Sequence, residues 1–95
     1  MDFEWDENKE KRNLAKHKIS FDTAILVFYD PYRIEFFDDK HSDDEDRYIT
    51  IGTIEGKTVV VTVVFTERGK NIRIISARQA TPKERRRYYD YSKKH

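Results

Sequence analysis

The sequence contains no cysteine in its 95 residues and no hydrophobic run of membrane-spanning length. Without cysteine, the chain has no disulfide framework, no thiolate nucleophile and no cysteine-ligated zinc site. A membrane-spanning helix needs about 20 consecutive apolar residues, and the N-terminal segment also lacks the apolar stretch of a secretory signal peptide. We therefore expect a soluble, cytoplasmic protein that makes no contact with a membrane.

Charged residues make up 39% of the chain, hydrophobic residues 37% and aromatic residues 14%. The aromatic rings supply core area that disordered segments lack, so we expect a folded chain. A chain of this length, with neither an internal repeat nor a linker, fits one small hydrophobic core. We predict a single domain over residues 1–95.

The small net charge of +1 hides an asymmetry between the two halves of the chain. Residues 1–46 carry 7 Lys and Arg against 14 Asp and Glu, a net charge of −7, whereas residues 47–95 carry 12 against 4, a net charge of +8. A basic half of this kind points to a polyanionic partner. The alternative is that the two halves neutralise each other across the folded surface.

Two helices are predicted in the N-terminal part. Asp6 is a suitable N-cap for a polar helix from Glu7 to about Lys16. Ser20 is a suitable N-cap for a second helix with a broad apolar face, formed by Phe21, Ala24, Ile25, Val27 and Phe28. Asp30-Pro31 ends the second helix, because the residue before a proline is disfavoured in helical conformation.

After Tyr32 the pattern changes to that of β-strands. Four strands are predicted, at Arg33–Phe37, Arg47–Glu55, Thr58–Thr66 and Ile72–Arg78. Turns at Glu55-Gly56-Lys57 and Arg68–Asn71 join the last three of them. Because short turns favour antiparallel pairing, we expect an antiparallel meander, to which Phe3–Trp5 can add a short edge strand.

A third helix is predicted at the C-terminus. Thr81 as N-cap, Pro82 at the first helical position and Glu84 at the third form a strong start signal. The helix is expected to run to about Ser92, with Lys93–His95 frayed. The predicted fold class is α+β, with two N-terminal helices and a C-terminal helix packed on an antiparallel four-stranded meander.

The acidic segment DDKHSDDED at residues 38–46 is a candidate metal site. Carboxylates are good ligands for hard cations, but the calcium-loop pattern needs a glycine at its sixth position and a distant glutamate. The segment has neither, so we interpret it as a solvated loop that limits pairing at a sheet edge. We expect no metal and no other cofactor.

Charged residues also lie in and beside the last two predicted strands: Glu67, Arg68, Arg73 and Arg78. RNA can be cut without a metal because its 2′-hydroxyl attacks the adjacent phosphate, and the protein then supplies a base, an acid and positive charge. Arginine suits the last role because its guanidinium fork binds two phosphate oxygens. The alternative is that these residues form surface salt bridges.

The register of the hairpin at Gly69 decides whether Glu67 lies beside the arginines. A two- or four-residue turn pairs Thr66 with Arg73 and places Glu67 on the opposite face of the sheet. A three-residue turn pairs Phe65 with Arg73 and places Glu67 on the arginine face. The sequence leaves both registers open.

Lys16 and His17 close the first helix, where His17 is a second candidate acid or base and Lys16 is predicted to bind RNA. A histidine near a helix C-terminus can act as a cap that interacts with the helix dipole. Histidine is also the residue most often used as a general acid or base. The sequence is compatible with both roles.

The C-terminal helix combines cations with tyrosines: Arg85, Arg86, Arg87, Tyr88, Tyr89 and Tyr91. Cations contact phosphates and aromatic rings stack on unpaired bases, so we predict RNA binding by Arg85, Arg86 and Tyr88. However, Tyr88 and Tyr91 have the i, i+3 spacing of a docking face. At least one tyrosine is therefore expected in the core.

Several segments, in their order and spacing, resemble the BrnT toxins of type II toxin–antitoxin modules. The segments that carry the resemblance are Phe3–Asp6 with Lys9, Asn13, Lys16-His17, Ser20-Phe21 with Ala24, Val27-Phe28, Asp30-Pro31, Arg47, Gly52, Val64–Arg68, Arg73–Arg78, Ala80, Glu84-Arg85 and Tyr88. Two positions depart from the family pattern: Lys18 stands where glycine is usual, and Phe65 where tyrosine or histidine is common. If position 18 needs a positive φ, lysine strains the turn by about 1 kcal/mol.

The resemblance implies a small ribonuclease toxin with a RelE-like fold. It also implies a BrnA-like, DNA-binding antitoxin that neutralises the toxin, so that operator DNA is contacted only through the antitoxin. By the same resemblance, the functional residues fall among Lys16, His17, Glu67, Arg68, Arg73 and Arg78, without individual roles.

Two other hypotheses fit the same residues. One is a nucleic-acid-binding module without catalysis, and the other is an interaction protein whose charged faces serve a protein partner. The candidate acid/base residues His17 and Glu67 favour the ribonuclease, because a binding module does not require them.

Overall fold

A computed structural model describes residues 1–54 and 58–94. The turn predicted at Glu55-Gly56-Lys57 and the terminal His95 lie outside the described residues. Within them, one sheet holds five strands in the order β1-β5-β4-β3-β2. The strands are β1 (Asp2–Glu4), β2 (Ile34–Phe37), β3 (Tyr48–Thr53), β4 (Val60–Arg68) and β5 (Asn71–Gln79). The α-helices are α1 (Glu7–His17), α2 (Phe21–Ile25) and α3 (Pro82–Lys94).

The α+β class is confirmed, but the sheet is mixed rather than purely antiparallel. Each of the strands β2 to β5 pairs antiparallel with the next strand along the chain. Strand β1 pairs parallel with β5, with Phe3 opposite Ile72. The four-stranded antiparallel meander is thus present, and the short edge strand that the sequence allowed at Phe3–Trp5 lies at Asp2–Glu4 and makes the sheet mixed. A three-residue strand shows no alternation of its own, and its partner lies far along the chain, so no local pattern indicates their pairing.

The second predicted helix is also divided. Ser20 caps it as predicted, with its hydroxyl accepting a hydrogen bond from the Thr23 N–H at 3.1 Å. The α-helix ends at Ile25, and the chain continues as a 3-10 turn over Leu26–Tyr29. Such tighter turns commonly close short helices.

Helix α1 begins and ends as its sequence indicates. The Asp6 carboxylate accepts hydrogen bonds from the N–H groups of Asn8 at 2.8 Å and Lys9 at 3.1 Å. At the other end, Lys18 has a φ of 62° and donates its N–H to the Leu14 carbonyl at 2.9 Å. The position thus adopts the left-handed conformation, in which lysine costs about 1 kcal/mol relative to an unstrained residue.

Two apolar clusters cover opposite faces of the sheet. On one face, α2 and the 3-10 turn pack against alternate residues of β4 and β5, with a buried core of Phe21, Ala24, Val27, Phe28, Val61, Val63, Phe65, Ile74 and Ala77. On the other face, α3 covers a smaller cluster of Ile51, Val60, Ala80 and Tyr88. The β4–β5 hairpin and the start of β3 lie at the end of this second face that α3 does not cover.

Helix α3 starts with the predicted capping box. The Glu84 N–H donates to the Thr81 hydroxyl at 3.2 Å, and the Thr81 N–H donates to the Glu84 carboxylate at 2.9 Å. The helix continues to Lys94, so Lys93 and Lys94 are helical rather than frayed. No helix in the described part of the chain is long and apolar enough to span a membrane.

Candidate functional site

An open groove of about 280 Å³ lies between α1 and the sheet. One wall is a single face of α1, with residues three or four positions apart: Lys9, Arg12, Asn13, Lys16 and His17. The other wall is formed by Arg47, which precedes β3, and Ile75 of β5. The groove therefore joins the end of the first helix to the sheet surface that α3 leaves uncovered.

The helix is fixed to the sheet edge by one buried asparagine. Asn13 is 7% exposed, and its side chain bonds both backbone groups of Ala77, accepting from the N–H at 3.1 Å and donating to the carbonyl at 2.9 Å. The same amide donates to the Ile19 carbonyl at 3.0 Å. Strand β1 pairs only with residues 71–73 of β5, so the edge of β5 at Ala77 has no neighbouring strand there. The Asn13 side chain bonds this free edge and holds α1 at a fixed distance from the sheet.

A β-bulge in β5 contributes the opposite wall. Val64 pairs with Ser76 and Phe65 pairs with Ile74, which leaves Ile75 as the extra residue. Bulges re-aim side chains locally and are frequent beside active sites. Here the inserted residue lines the groove.

Three cations of the groove have no carboxylate within ion-pair distance among residues 1–54 and 58–94. Arg12, Lys16 and Arg47 form no ion pair with any described residue. The described lining also contains no Asp or Glu. Positive charge without an ion-pair partner favours an anionic ligand.

The strand arginines of the sequence prediction are placed differently. Arg73 donates to Glu4 of β1 at 2.7 Å, and Arg78 donates to both carboxylate oxygens of Glu84, at 2.7 and 3.0 Å. Arg68 lies 3.6 Å from Glu45. All three arginines form salt bridges, which was the alternative considered from the sequence. None of the three lines the groove.

The hairpin at Gly69 has the two-residue register. Gly69 has a φ of 60°, Thr66 pairs with Arg73, and Glu67 pairs with Ile72. Paired residues of antiparallel strands share a face, so Glu67 points away from the face of Arg73. Its side chain borders a separate pocket with Glu45 and Asp46. Of the two predicted acid/base residues, only His17 lies in the groove.

The predicted RNA-binding residues of α3 lie outside the groove. Arg85 and Arg86 are exposed, and Arg86 borders a shallow cleft on α3 with Lys83 and Lys94. Tyr88 is 4% exposed, so its ring is not accessible for stacking on a base. The sequence predicted at least one tyrosine in the core without saying which, and Tyr88 is such a residue.

The Tyr88 hydroxyl is bound to a buried carboxylate. It donates to Asp30 at 2.5 Å, and Asp30 also accepts from the N–H groups of Thr53 at 2.8 Å and Tyr32 at 2.9 Å. Burial opposes ionisation of Asp30, but these hydrogen bonds outweigh it and lower its pKa. Burial and the Asp30 hydrogen bond together raise the pKa of Tyr88 to about 12.

We expect Tyr88→Phe to lower the free energy of unfolding by about 1–3 kcal/mol, because it removes a hydrogen bond to a charged group. RNA affinity should stay unchanged, since the ring is buried. Urea unfolding and RNA titration of the same preparation measure both quantities. Reduced RNA affinity with unchanged stability would contradict the placement of Tyr88 and restore its predicted binding role.

The acidic loop is organised by its own hydrogen bonds. His41 contacts the Asp38 carboxylate at 3.0 Å, and the Ser42 hydroxyl donates to the Asp38 carbonyl at 2.6 Å and accepts from the Arg47 N–H at 3.0 Å. Among residues 1–54 and 58–94, no three His, Asp or Glu side chains are grouped to hold a metal ion. The loop thus fixes the backbone of Arg47 at the groove.

Three cations of the groove, Lys9, Arg12 and Arg47, were not among the site residues predicted from the sequence. Arg12 precedes Lys16 by one helical turn, so a helical projection of α1 could have shown them on one face. Arg47 carries no such local signal, because only the folded sheet brings it opposite α1.

The comparisons with known proteins identify one family. The model of a family described as the ribonuclease toxin, BrnT, of a type II toxin–antitoxin system matches residues 5–84. This range contains every residue of the groove and extends to Glu84 in the first turn of α3. No curated protein matches the chain.

Proposed function

The chain belongs to the BrnT family of ribonuclease toxins of type II toxin–antitoxin systems, and from that premise we propose that it cuts RNA in the groove beside α1. The reaction is attack of the RNA 2′-hydroxyl on the adjacent phosphate. The protein supplies an acceptor for the hydroxyl proton and positive charge for the phosphorane, with no metal ion as a participant.

The observation that carries the proposal is the position of His17 among unpaired cations. His17 closes α1 and borders the groove together with Lys16, Arg12 and Arg47. A half-buried imidazole in an open groove can reach both substrate and water. We assign to His17 the acceptance of the 2′-hydroxyl proton.

Positive charge comes from Lys16 and its neighbours in the groove. Charge develops on the phosphate oxygens as the new P–O bond forms, and preorganised cations stabilise that charge. The 5′-oxygen leaves with a proton taken from water, which has free access to the groove. The products are a 2′,3′-cyclic phosphate and a 5′-hydroxyl.

The strand arginines have a supporting role in this proposal. Arg73 joins β1 to β5 through Glu4, and Arg78 joins β5 to α3 through Glu84. These ion pairs hold the sheet that carries the bulge and Arg47. Glu67 and Arg68 take no part in the reaction.

The type II family implies an antitoxin and an RNA substrate. We propose a BrnA-like, DNA-binding antitoxin that covers the groove with an acidic segment, because charge complementarity guides such contacts. Operator DNA would then be bound through the antitoxin. The site of action is the cytoplasm, where the RNA substrate is found.

Cleavage in EDTA tests the mechanism directly. We expect the purified chain to cut a short RNA in the presence of EDTA and to leave ends that carry a 2′,3′-cyclic phosphate. The same oligonucleotide with 2′-deoxy sugars is the matched control and should stay intact, because it lacks the nucleophile. Cleavage of the deoxy control, or cleavage only after addition of a divalent cation, would contradict the mechanism.

A further inference from the structure

We infer that Arg47 and Arg12, on opposite walls of the groove, form a phosphate-binding site for the RNA backbone. The inference rests on the proposed function, in that it places the substrate of that function in the same groove. Neither residue was among the site residues predicted from the sequence.

The side chain of Arg47 contains a buried donor. Its Nε is buried and has no hydrogen-bond partner among the described residues. Buried donors without a partner are rare in folded proteins, and each one calls for an explanation such as an absent ion. A phosphate oxygen accepts from guanidinium N–H groups in a two-pronged geometry, so a bound phosphate would satisfy this donor.

The backbone of Arg47 is held in place for this role. Its N–H donates to the Ser42 hydroxyl at 3.0 Å, and its carbonyl accepts from the Asp38 N–H at 2.8 Å. The start of β3 is therefore fixed on both sides of the residue. A preorganised arginine loses less conformational entropy when it binds an anion.

Arg33 shows that an unpartnered Nε alone does not define the site. Its Nε is also buried without a hydrogen-bond partner, but its guanidinium lies 5.9 Å from the centre of the Phe28 ring. That distance allows a cation–π contact, and Arg33 lies outside the groove. No aromatic ring takes this place for Arg47 in the described part of the chain.

Arg12 lies on the α1 wall of the groove. It lies one helical turn before Lys16 on α1, and both border the groove without a carboxylate partner. Like charges at this spacing destabilise a helix modestly. An anion bound beside Arg12 would offset its repulsion of Lys16. Because Arg47 lies on the opposite wall, the two walls together form a site for a phosphate group.

The test is binding of a fully 2′-O-methylated RNA oligonucleotide, which cannot be cut because its nucleophile is blocked. We expect Arg47→Gln and Arg12→Gln each to weaken binding about tenfold, as for loss of a hydrogen-bonded charge pair. Each variant should also lower the slope of log affinity against log salt by about 0.7, the value for one phosphate contact on a single strand.

Matched controls separate the groove from general charge. Lys11→Gln removes a cation from the same helix, and Arg33→Gln removes an arginine with the same unpartnered Nε. Both lie outside the groove, and both should leave affinity and salt slope near those of the wild type. Arg47→Lys should keep the salt slope but lose part of the affinity, because lysine lacks the guanidinium fork.

The outcomes distinguish this inference from the proposed function. If both arginine variants bind like the controls while the wild type cuts RNA, the phosphate site is wrong and the mechanism stands. If both variants bind weakly while the wild type binds but never cuts, the site is confirmed and the mechanism fails. Arg12 is exposed on a helix, so Arg12→Gln remains a fair test if circular dichroism shows that Arg47→Gln does not fold.

Discussion

Replacing His17 with alanine should slow RNA cleavage by about 100-fold or more, the usual contribution of a general acid or base. The loss should appear in the rate of the chemical step, because His17 is assigned to the 2′-hydroxyl proton rather than to binding. Single-turnover cleavage in EDTA measures that step. Affinity for the 2′-O-methylated oligonucleotide should change little.

A second histidine provides the matched control. His41 is exposed, contacts Asp38 at 3.0 Å and lies in the acidic loop, outside the groove. His41→Ala should therefore cut RNA at the wild-type rate. Equal loss of activity in both histidine variants would indicate general destabilisation, which thermal unfolding reveals. Loss of activity in Glu67→Ala, with His17→Ala fully active, would move the catalytic centre to the β4–β5 hairpin.

The features that the sequence predicted correctly depend on neighbours along the chain. The Asp6 cap of α1 and the capping box of Thr81 with Glu84 involve residues two or three positions apart. Their geometry follows from the residue types alone, because a short polar side chain reaches only nearby N–H groups. The positive φ of Lys18 was instead suggested by the family resemblance, since glycine is usual at that position and lysine alone does not indicate it.

The hairpin and the arginines show where such prediction stops. The turn residues Gly69 and Lys70 are compatible with more than one loop length, and a shift of one residue exchanges the two faces. The sequence therefore left the side of Glu67 open. The partners of Arg73 and Arg78 depend on how β1 and α3 are placed against β5. Only the fold shows that these two arginines are held in ion pairs, whereas Arg12 and Arg47 have no ion-pair partner in the part of the chain that the structure describes.

Glu84→Gln should lower the free energy of unfolding at neutral pH by about 2–3 kcal/mol. Burial of the Glu84 carboxylate would raise its pKa, but hydrogen bonds from Arg78, the Thr81 N–H and the Thr62 hydroxyl outweigh burial and lower the pKa to about 2. Glutamine still completes a capping box. The loss therefore reports mainly on the charged pair with Arg78.

The pH dependence of this stabilisation has a definite sign. The pKa of Glu84 is lower in the folded chain than its ordinary value of 4.5, so the stabilisation is fully present above that value. It is lost as pH falls from about 5 towards 2, because the folded state must then bind a proton it resists. Urea unfolding over this range should show the wild type and Glu84→Gln converging in stability at the acid end.

Glu45→Gln is the control for the Glu84 prediction. Glu45 pairs with Arg68 at 3.6 Å on the surface, and exposed ion pairs contribute about 0–1 kcal/mol. Its stability profile should therefore follow that of the wild type. If the free energy of unfolding of Glu84→Gln were lower than that of the wild type by the same amount at every pH, the carboxylate charge would not be the source of the stabilisation.

The Glu84→Gln variant also tests the role of Arg78 in RNA binding. In Glu84→Gln the guanidinium of Arg78 loses its carboxylate partner and becomes free for a phosphate. If Arg78 borders the path of the RNA, affinity for the 2′-O-methylated oligonucleotide should rise as stability falls. We expect no such rise, because Arg78 does not line the groove, and unchanged affinity would assign Arg78 to the junction of β5 and α3.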